Sequence, residues 1–205
     1  MLTKIIKFKK LIIAAIMMSL MGVGCSKDDD ATKPTTNNDP FTFLKVGNEL
    51  EYYNYYYDSD EIRDTMKFRI NSENNGFFRV VQIFQEDLDE IPTATHYCYW
   101  YTNNNGWYMS FSFFPAEIGD TLYLPHNCFV GLKYKSFNFG TNFAEIISVS
   151  EKVTVPAGTF NNCIKVREYH PNDSTIVVDT YFHKDIGMLS GNSGKGIMKL
   201  HSKNF

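Results

Sequence analysis

No stretch of this 205-residue chain is apolar for long enough to cross a bilayer as a helix. Residues 11–24 (LIIAAIMMSLMGVG) carry no charge. As a helix they would span about 21 Å, short of the roughly 30 Å hydrocarbon core. Basic charge is scarce as well. Lys4, Lys7, Lys9 and Lys10 precede residue 25 with no acid among them, and the rest of the chain holds 16 basic against 23 acidic residues, a net charge near −7. That balance argues against a nucleic-acid partner, which requires a basic face. Four cysteines are too few and too scattered for a disulfide framework. The chain also lacks H-E-x-x-H, G-x-S-x-G, the phosphate-cradling G-x-x-x-x-G-K and a dinucleotide fingerprint. No catalytic residue, metal ligand or cofactor is therefore assigned, and spacing alone cannot single out a carboxylate pair among 23 acids.

Aromatic residues are abundant: 16% of the chain, with 17 Phe and 13 Tyr. Such side chains suit the pleated, half-buried surface of a strand and are rare in disordered chains. About 165 residues remain after the N-terminal segments, enough to bury a core without disulfides or metals.

The N-terminus has the layout of an export signal: basic residues 1–10, the uncharged run 11–24, then small residues before Cys25. Gly22-Val23-Gly24-Cys25 resembles the lipobox of bacterial lipoproteins, with Gly22 where that pattern usually has Leu. The resemblance implies cleavage before Cys25 and a lipid on its thiol, anchoring the protein to a membrane. Lys27-Asp28-Asp29-Asp30 is similar to the export signal of surface lipoproteins in Bacteroidota, which implies outer-membrane localisation. Display on the cell surface and retention on the inner leaflet both stay open. Residues 31–40 (ATKPTTNNDP) cannot build a core and read as a flexible tether. The expected organisation is a signal peptide over 1–24, lipidated cysteine and acidic tether over 25–40, and one β-rich domain over 41–205.

From Phe41 onward the dominant hydrophobic period is two. Turn signals recur at Asn74-Asn75-Gly76, Asn103-Asn104-Asn105-Gly106, Pro156-Ala157-Gly158, Pro171-Asn172-Asp173 and Gly191-Asn192-Ser193-Gly194. They predict ten strands near 48–57, 61–72, 77–85, 95–102, 107–114, 129–138, 143–155, 161–169, 175–183 and 195–202, with loops over 86–93 and 115–128. In residues 143–155 the expected apolar face is Phe143, Ile147, Val149, Val153 and Val155, with Glu145 and Glu151 marking strand ends or a bulge. The expected fold is mainly β, an antiparallel meander rolled into a half-barrel or sandwich-like sheet with little helix. Val46-Gly47-Asn48-Glu49-Leu50 and Ile118-Gly119-Asp120-Thr121-Leu122 share one turn pattern ahead of a strand.

Residues 153–169 (VTVPAGTFNNCIKVREY) and 180–190 (TYFHKDIGMLS) resemble a pattern in envelope lipoproteins of Bacteroidota. The resemblance implies a rolled antiparallel sheet like those of lipoprotein-carrier and lipid-binding half-barrels. Pro156, Gly158 and Gly187 within it are turn-makers rather than reactive groups.

Two features could carry function. His96-Tyr97-Cys98 and His126-Asn127-Cys128 place a nitrogen and a sulfur two residues apart, yet the spacing matches no established zinc module. Cys98, Cys128 and Cys163 read either as one disulfide plus a leftover thiol or as three small buried thiols, and we prefer the thiols because no disulfide-dense pattern surrounds them. The second feature is aromatic. Tyr97, Tyr99 and Tyr101 share one face of their strand. If Gly106 adopts a left-handed bulge, they lie beside Phe113, Phe111 and Met109, with Trp107 on the same face. A two-residue Asn104-Asn105 turn would instead set them beside Ser112, Ser110 and Tyr108. We prefer the bulge because it uses the glycine. The resulting face is either packed core or a lined groove for a lipid, sterol-like or glycan ligand. Residues 51–57 (EYYNYYY) add tyrosines on both faces of the first strand, so some should meet solvent or a partner. The leading reading is a non-enzymatic, lipid-anchored binding module for an apolar or aromatic-stacking ligand. An interaction or structural module that touches an envelope protein is second, and a secreted hydrolase third.

Overall fold

The computed structural model of the chain describes residues 41–85, 93–110, 121–136, 143–170, 173–192 and 196–205. The signal peptide 1–24, Cys25 and the tether to residue 40 lie outside these residues, as do Phe111 and Phe113.

Among the described residues twelve strands form one antiparallel sheet. They are β1 (Glu49–Tyr56), β2 (Ile62–Asn74), β3 (Phe77–Gln85), β4 (Thr93–Asn103), β5 (Gly106–Ser110), β6 (Thr121–Pro125), β7 (Lys133–Lys135), β8 (Phe143–Val155), β9 (Gly158–His170), β10 (Asp173–His183), β11 (Gly187–Asn192) and β12 (Gly196–Lys203). Their order is β6-β5-β4-β3-β2-β1-β12-β11-β10-β9-β8-β7, so two meanders join where the first strand pairs with the last. The sheet rolls until its edge strands meet, and the Tyr134 hydroxyl on β7 donates to the Tyr123 carbonyl on β6 across the seam (3.2 Å). The mainly β antiparallel meander expected from the sequence is thus rolled into a nearly closed barrel. The roll turns the two edge strands, β6 and β7, toward each other instead of leaving them apart at the ends of an open sheet.

Period-two patterning explains the inside. On β1, Leu50, Tyr52 and Asn54 point inward and are buried, and on β12 Met198 and Leu200 do the same opposite them. At one end, here called the base, the interior is filled by rings. Phe41 and Phe43 enter ahead of β1 and pack on Trp107, which also meets Trp100 and Tyr123. The segment is pinned by backbone bonds from Gly47 N to Ile70 O (2.8 Å) and from Ile70 N to Asn48 O (3.0 Å). Asn204 accepts from Glu49 N and donates to Gly47 O, tying the last strand to the same segment. The hairpin at Asn75-Gly76, with φ of 52° and 82°, is the mirror-image turn that Asn-Gly favours. The Pro156-Ala157 hairpin also lies at the base, where Ala157 N donates to Leu200 O (3.1 Å). The β1–β2 turn lies at the opposite end, the rim.

Four expectations need correction. Among the described residues the strand expected near 129–138 is reduced to β7, with residues 129–132 in the turn before it, where Leu132 N donates to Phe129 O (3.1 Å). Residues 115–128 are not all loop, because Thr121–Pro125 forms β6. Gly187–Asn192 forms β11, for which no strand was expected. In β8 the faces are exchanged at the start: Ala144 and Ile146 are buried, whereas Phe143 is 55% exposed and Val149 also faces out. Bulges between Ile146 and Val153 then shift the register and bring Val155 back into the core. Of the loop expected over 86–93, only Thr93 is a described residue, and it opens β4.

Candidate functional site

The tyrosine face resolves against the preferred register. Asn103 pairs with Gly106, Tyr101 with Tyr108 and Tyr99 with Ser110, so the β4–β5 connection is the two-residue Asn104-Asn105 turn. Two local effects account for it. The Asn103 side chain accepts the Asn105 amide hydrogen (2.8 Å), closing a tight Asx turn. Gly106 is needed for close approach: a Cβ there would stand 2.2 Å from the Leu124 carbonyl oxygen on β6. The glycine makes room for a neighbouring strand rather than supplying a bulge.

The expected group therefore divides between two faces. Trp107 and Met109 point into the barrel with Trp100 and are buried. Tyr97, Tyr99 and Tyr101 point outward. Tyr101 is covered by Phe77 (4.9 Å between ring centres) and stacks on Tyr108 (5.1 Å), while the Arg79 guanidinium lies 4.0 Å over the Tyr97 ring. Trp107 and Met109 have no route to a ligand on the Tyr97–Tyr101 side, and Phe111 and Phe113 lie outside the described residues.

The thiols are free, with Cys98 and Cys163 buried and Cys128 half-buried. Burial pushes the Cys98 thiol up to about 12 and the Cys128 thiol up to about 11, which makes both poor nucleophiles near neutral pH. His96 is exposed whereas Cys98 is buried, so that pair presents no joint ligand set. Among the described residues no group of three His, Cys, Asp or Glu side chains is placed to hold a metal ion.

A different tyrosine cluster forms a groove. Tyr55, Tyr56 and Tyr57 run off the end of β1 into the turn Asp58-Ser59-Asp60, and with Ile197 and Lys199 of β12 they line an open groove of about 360 Å³ at the rim. The turn holds itself in shape: Tyr56 N donates to Glu61 O (3.4 Å), Ser59 N to Tyr56 O (3.5 Å) and Glu61 N to the Ser59 hydroxyl (3.2 Å). Tyr56 and Tyr57 are 47% and 49% exposed. The Lys199 ammonium lies 4.7 Å over the Tyr55 ring, and Tyr53 stacks on His201 at 3.7 Å. Burial, then the nearby Tyr53 and Asp60 oxygens, raises the Tyr55 phenol above its ordinary value, so it remains a hydrogen-bond donor. Beneath the turn, inside the barrel, Asn54 donates to Asp64 and Arg63 donates to the other carboxylate oxygen (2.5 Å). This buried polar pair links the end of β1 to the start of β2.

No protein-family model matches the chain, and no curated protein sequence matches it. It is similar in structure to a protein of inferred export with a YmcC-like fold from Bacteroides fragilis NCTC 9343. That chain is 13% identical, with a TM-score of 0.49 over 80% of this chain and 99% of its own. It is also similar to an inferred lipoprotein from Parabacteroides distasonis ATCC 8503, 13% identical, with a TM-score of 0.48 over 80% of this chain and 98% of its own.

Of the eight groove residues, the three tyrosines were visible in the sequence as part of the run 51–57. Their convergence with Lys199 was not, because it depends on β1 pairing with the last strand.

Proposed function

We propose that the protein is an exported, lipid-anchored envelope lipoprotein that acts as a non-enzymatic binding module, and that its ligand is a neutral glycan held in the rim groove. The observation that carries this reading is the groove itself: half-exposed Tyr56 and Tyr57 beside Asp58, Ser59 and Asp60. Flat phenol rings offer a surface for the C–H faces of a sugar, and the carboxylates accept its hydroxyl hydrogens. Of the eight lining residues only Ile197 lacks a hydrogen-bonding side chain, which suits a sugar better than an acyl chain. Two carboxylates against one ammonium disfavour an anionic ligand. Rings fill the base of the barrel, and the rim groove offers an accessible outer surface. Burial pushes the Cys98 thiol up to about 12 and that of half-buried Cys128 up to about 11, which fits a protein without thiol chemistry. Export and lipid attachment rest on the basic, uncharged and small-residue pattern ending at Cys25.

Isothermal titration of the full chain with chitotetraose, a neutral N-acetylglucosamine oligomer, tests the groove. Saturable binding is expected, weakened about tenfold or more by Tyr57→Ala, the equivalent of about 1.4 kcal/mol. Binding untouched by both Tyr57→Ala and Asp58→Ala would remove the groove as the site.

A further inference from the structure

The apolar residues at the base that remain exposed have no role in the barrel core. Phe129 and Val130 stand next to each other on the loop between β6 and β7, 58% and 62% exposed, with Val46 (48%) on the entering segment at the same end. The loop is held from both sides: His126 N donates to Asn105 O (3.0 Å), the Lys184 ammonium donates to His126 O (2.9 Å), and Gly131 N donates to Ile146 O (2.8 Å). Two large apolar side chains are thus presented on a braced loop and point away from the fold. Adjacent exposed apolar residues of this kind mark a contact surface rather than ordinary scatter.

The place where the chain enters the barrel identifies the contact. Phe41 stacks on His126 (5.3 Å between ring centres), three residues before Phe129. Whatever precedes Phe41 therefore leaves the barrel beside this loop. Sixteen residues separate Cys25 from Phe41, counting the cysteine. Such a segment reaches at most about 50–55 Å, and a coil of that length averages nearer 20–25 Å. A lipid on Cys25 would therefore tether the barrel from its base end.

We propose that the Phe129-Val130 loop is a second membrane contact, seating the base of the barrel on the lipid surface and turning the tyrosine groove away from it. The occupant of this patch is a bilayer interface, in which a short apolar tip buries its side chains at the headgroup boundary. A lipid on a coil tether fixes where the chain is held but not how the barrel is turned, and a second apolar contact supplies that orientation. The inference rests on lipidation at Cys25.

The test uses the full lipidated chain in phosphatidylcholine vesicles whose acyl chains are brominated near the headgroup. Phe129→Trp places an indole at the tip, and Tyr57→Trp places one at the rim with similar exposure. The parent tryptophans, Trp100 and Trp107, are buried and supply the background to subtract. The added Phe129→Trp emission is expected to shift blue and to be quenched by the brominated lipid, and the Tyr57→Trp emission to be unchanged. Mass analysis of the same samples reports the lipid on Cys25. Unquenched Phe129→Trp emission on a lipidated, vesicle-bound chain overturns the seating and leaves the anchor standing. A chain without lipid on Cys25 overturns both. A blue shift already present without vesicles would assign the patch to a protein contact and also overturn the inference.

Discussion

Replacing Phe43 with alanine probes whether the segment ahead of β1 is part of the barrel core. Phe43 is fully buried, its ring edge-on to Trp107 at 4.9 Å and at 6.2 Å from both Trp100 and Phe41. Truncating a buried Phe costs about 3–5 kcal/mol, and each aromatic pair adds about 0.5–1.5 kcal/mol beyond area burial. Three such pairs place Phe43→Ala in the upper half of that range, about 4–5 kcal/mol, roughly a quarter or more of a typical domain's stability. For a domain of this size the melting temperature should fall by about 8–20 °C. Urea unfolding followed by tryptophan emission measures it directly, because both tryptophans lie against the deleted ring. Gly187 adds an internal check. A Cβ there would stand 3.2 Å from the Phe43 ring, at a φ of +93° that L residues rarely adopt. Gly187→Ala should destabilise the parent, and less so the Phe43→Ala background, where only the backbone penalty of about 1–2 kcal/mol remains. A loss below about 1 kcal/mol for Phe43→Ala, with an unchanged denaturant slope, would refute the packing of this segment in the core.

Other outcomes follow from the same core and surface. The Tyr52 hydroxyl donates to the Met188 carbonyl (2.8 Å), and burial raises its phenol well above its ordinary value. Tyr52→Phe removes that bond and should cost about 0.5–1.5 kcal/mol by chemical denaturation. With thiols held up to about 12 at Cys98 and about 11 at Cys128, a disulfide reagent at pH 8 should label neither in the native protein and both after unfolding. Rapid native labelling of Cys98 would contradict its burial. Asp179 accepts two bonds from Arg167 (2.7 and 2.9 Å) and lies 2.9 Å from the Lys165 ammonium, and Arg167, then Lys165, holds its carboxyl below the ordinary value. A depressed folded pKa stabilises above the unfolded value of about 3.9 and is lost as pH falls through the folded one. Asp179→Asn should therefore lose stability at neutral pH and show a shallower decline below about pH 4.

Much of the fold could be read from residue patterns. Alternation and the Asn75-Gly76 turn delimit β1, β2 and β3 closely, and β8 falls where expected. The strands that escaped have identifiable reasons. β11 is six residues long, begins at a glycine and carries another at Gly191, so its pattern reads as turn. β6 is five residues and ends in proline, and the pattern at 118–122, shared with the approach to β1, reads as turn chemistry. The tyrosine face failed for a subtler cause. Gly106 was credited with a left-handed conformation, when what requires it is the carbonyl of Leu124 on a strand that had been assigned to loop. One missed strand thus inverted the register of the hairpin beside it and moved Trp107 and Met109 to the opposite face from Tyr97, Tyr99 and Tyr101. The rim groove depends on contacts between the first and last strands, which no local pattern encodes.

The pairing of β1 with β12 also bears on how the barrel is made. Every other neighbour in the sheet is a sequential hairpin whose closure spans a short loop. The single joint between the two meanders must bring together segments separated by almost the whole domain, the contact with the highest loop-closure entropy. Each half can zip up from its own turns, and the barrel is completed only when the last-synthesised strand arrives. A circular permutant with the old ends joined and new ends opened between β6 and β7 would make every pairing local. The native barrel's folding rate, set against that permutant, would show how much of its kinetic barrier resides in one pair of strands.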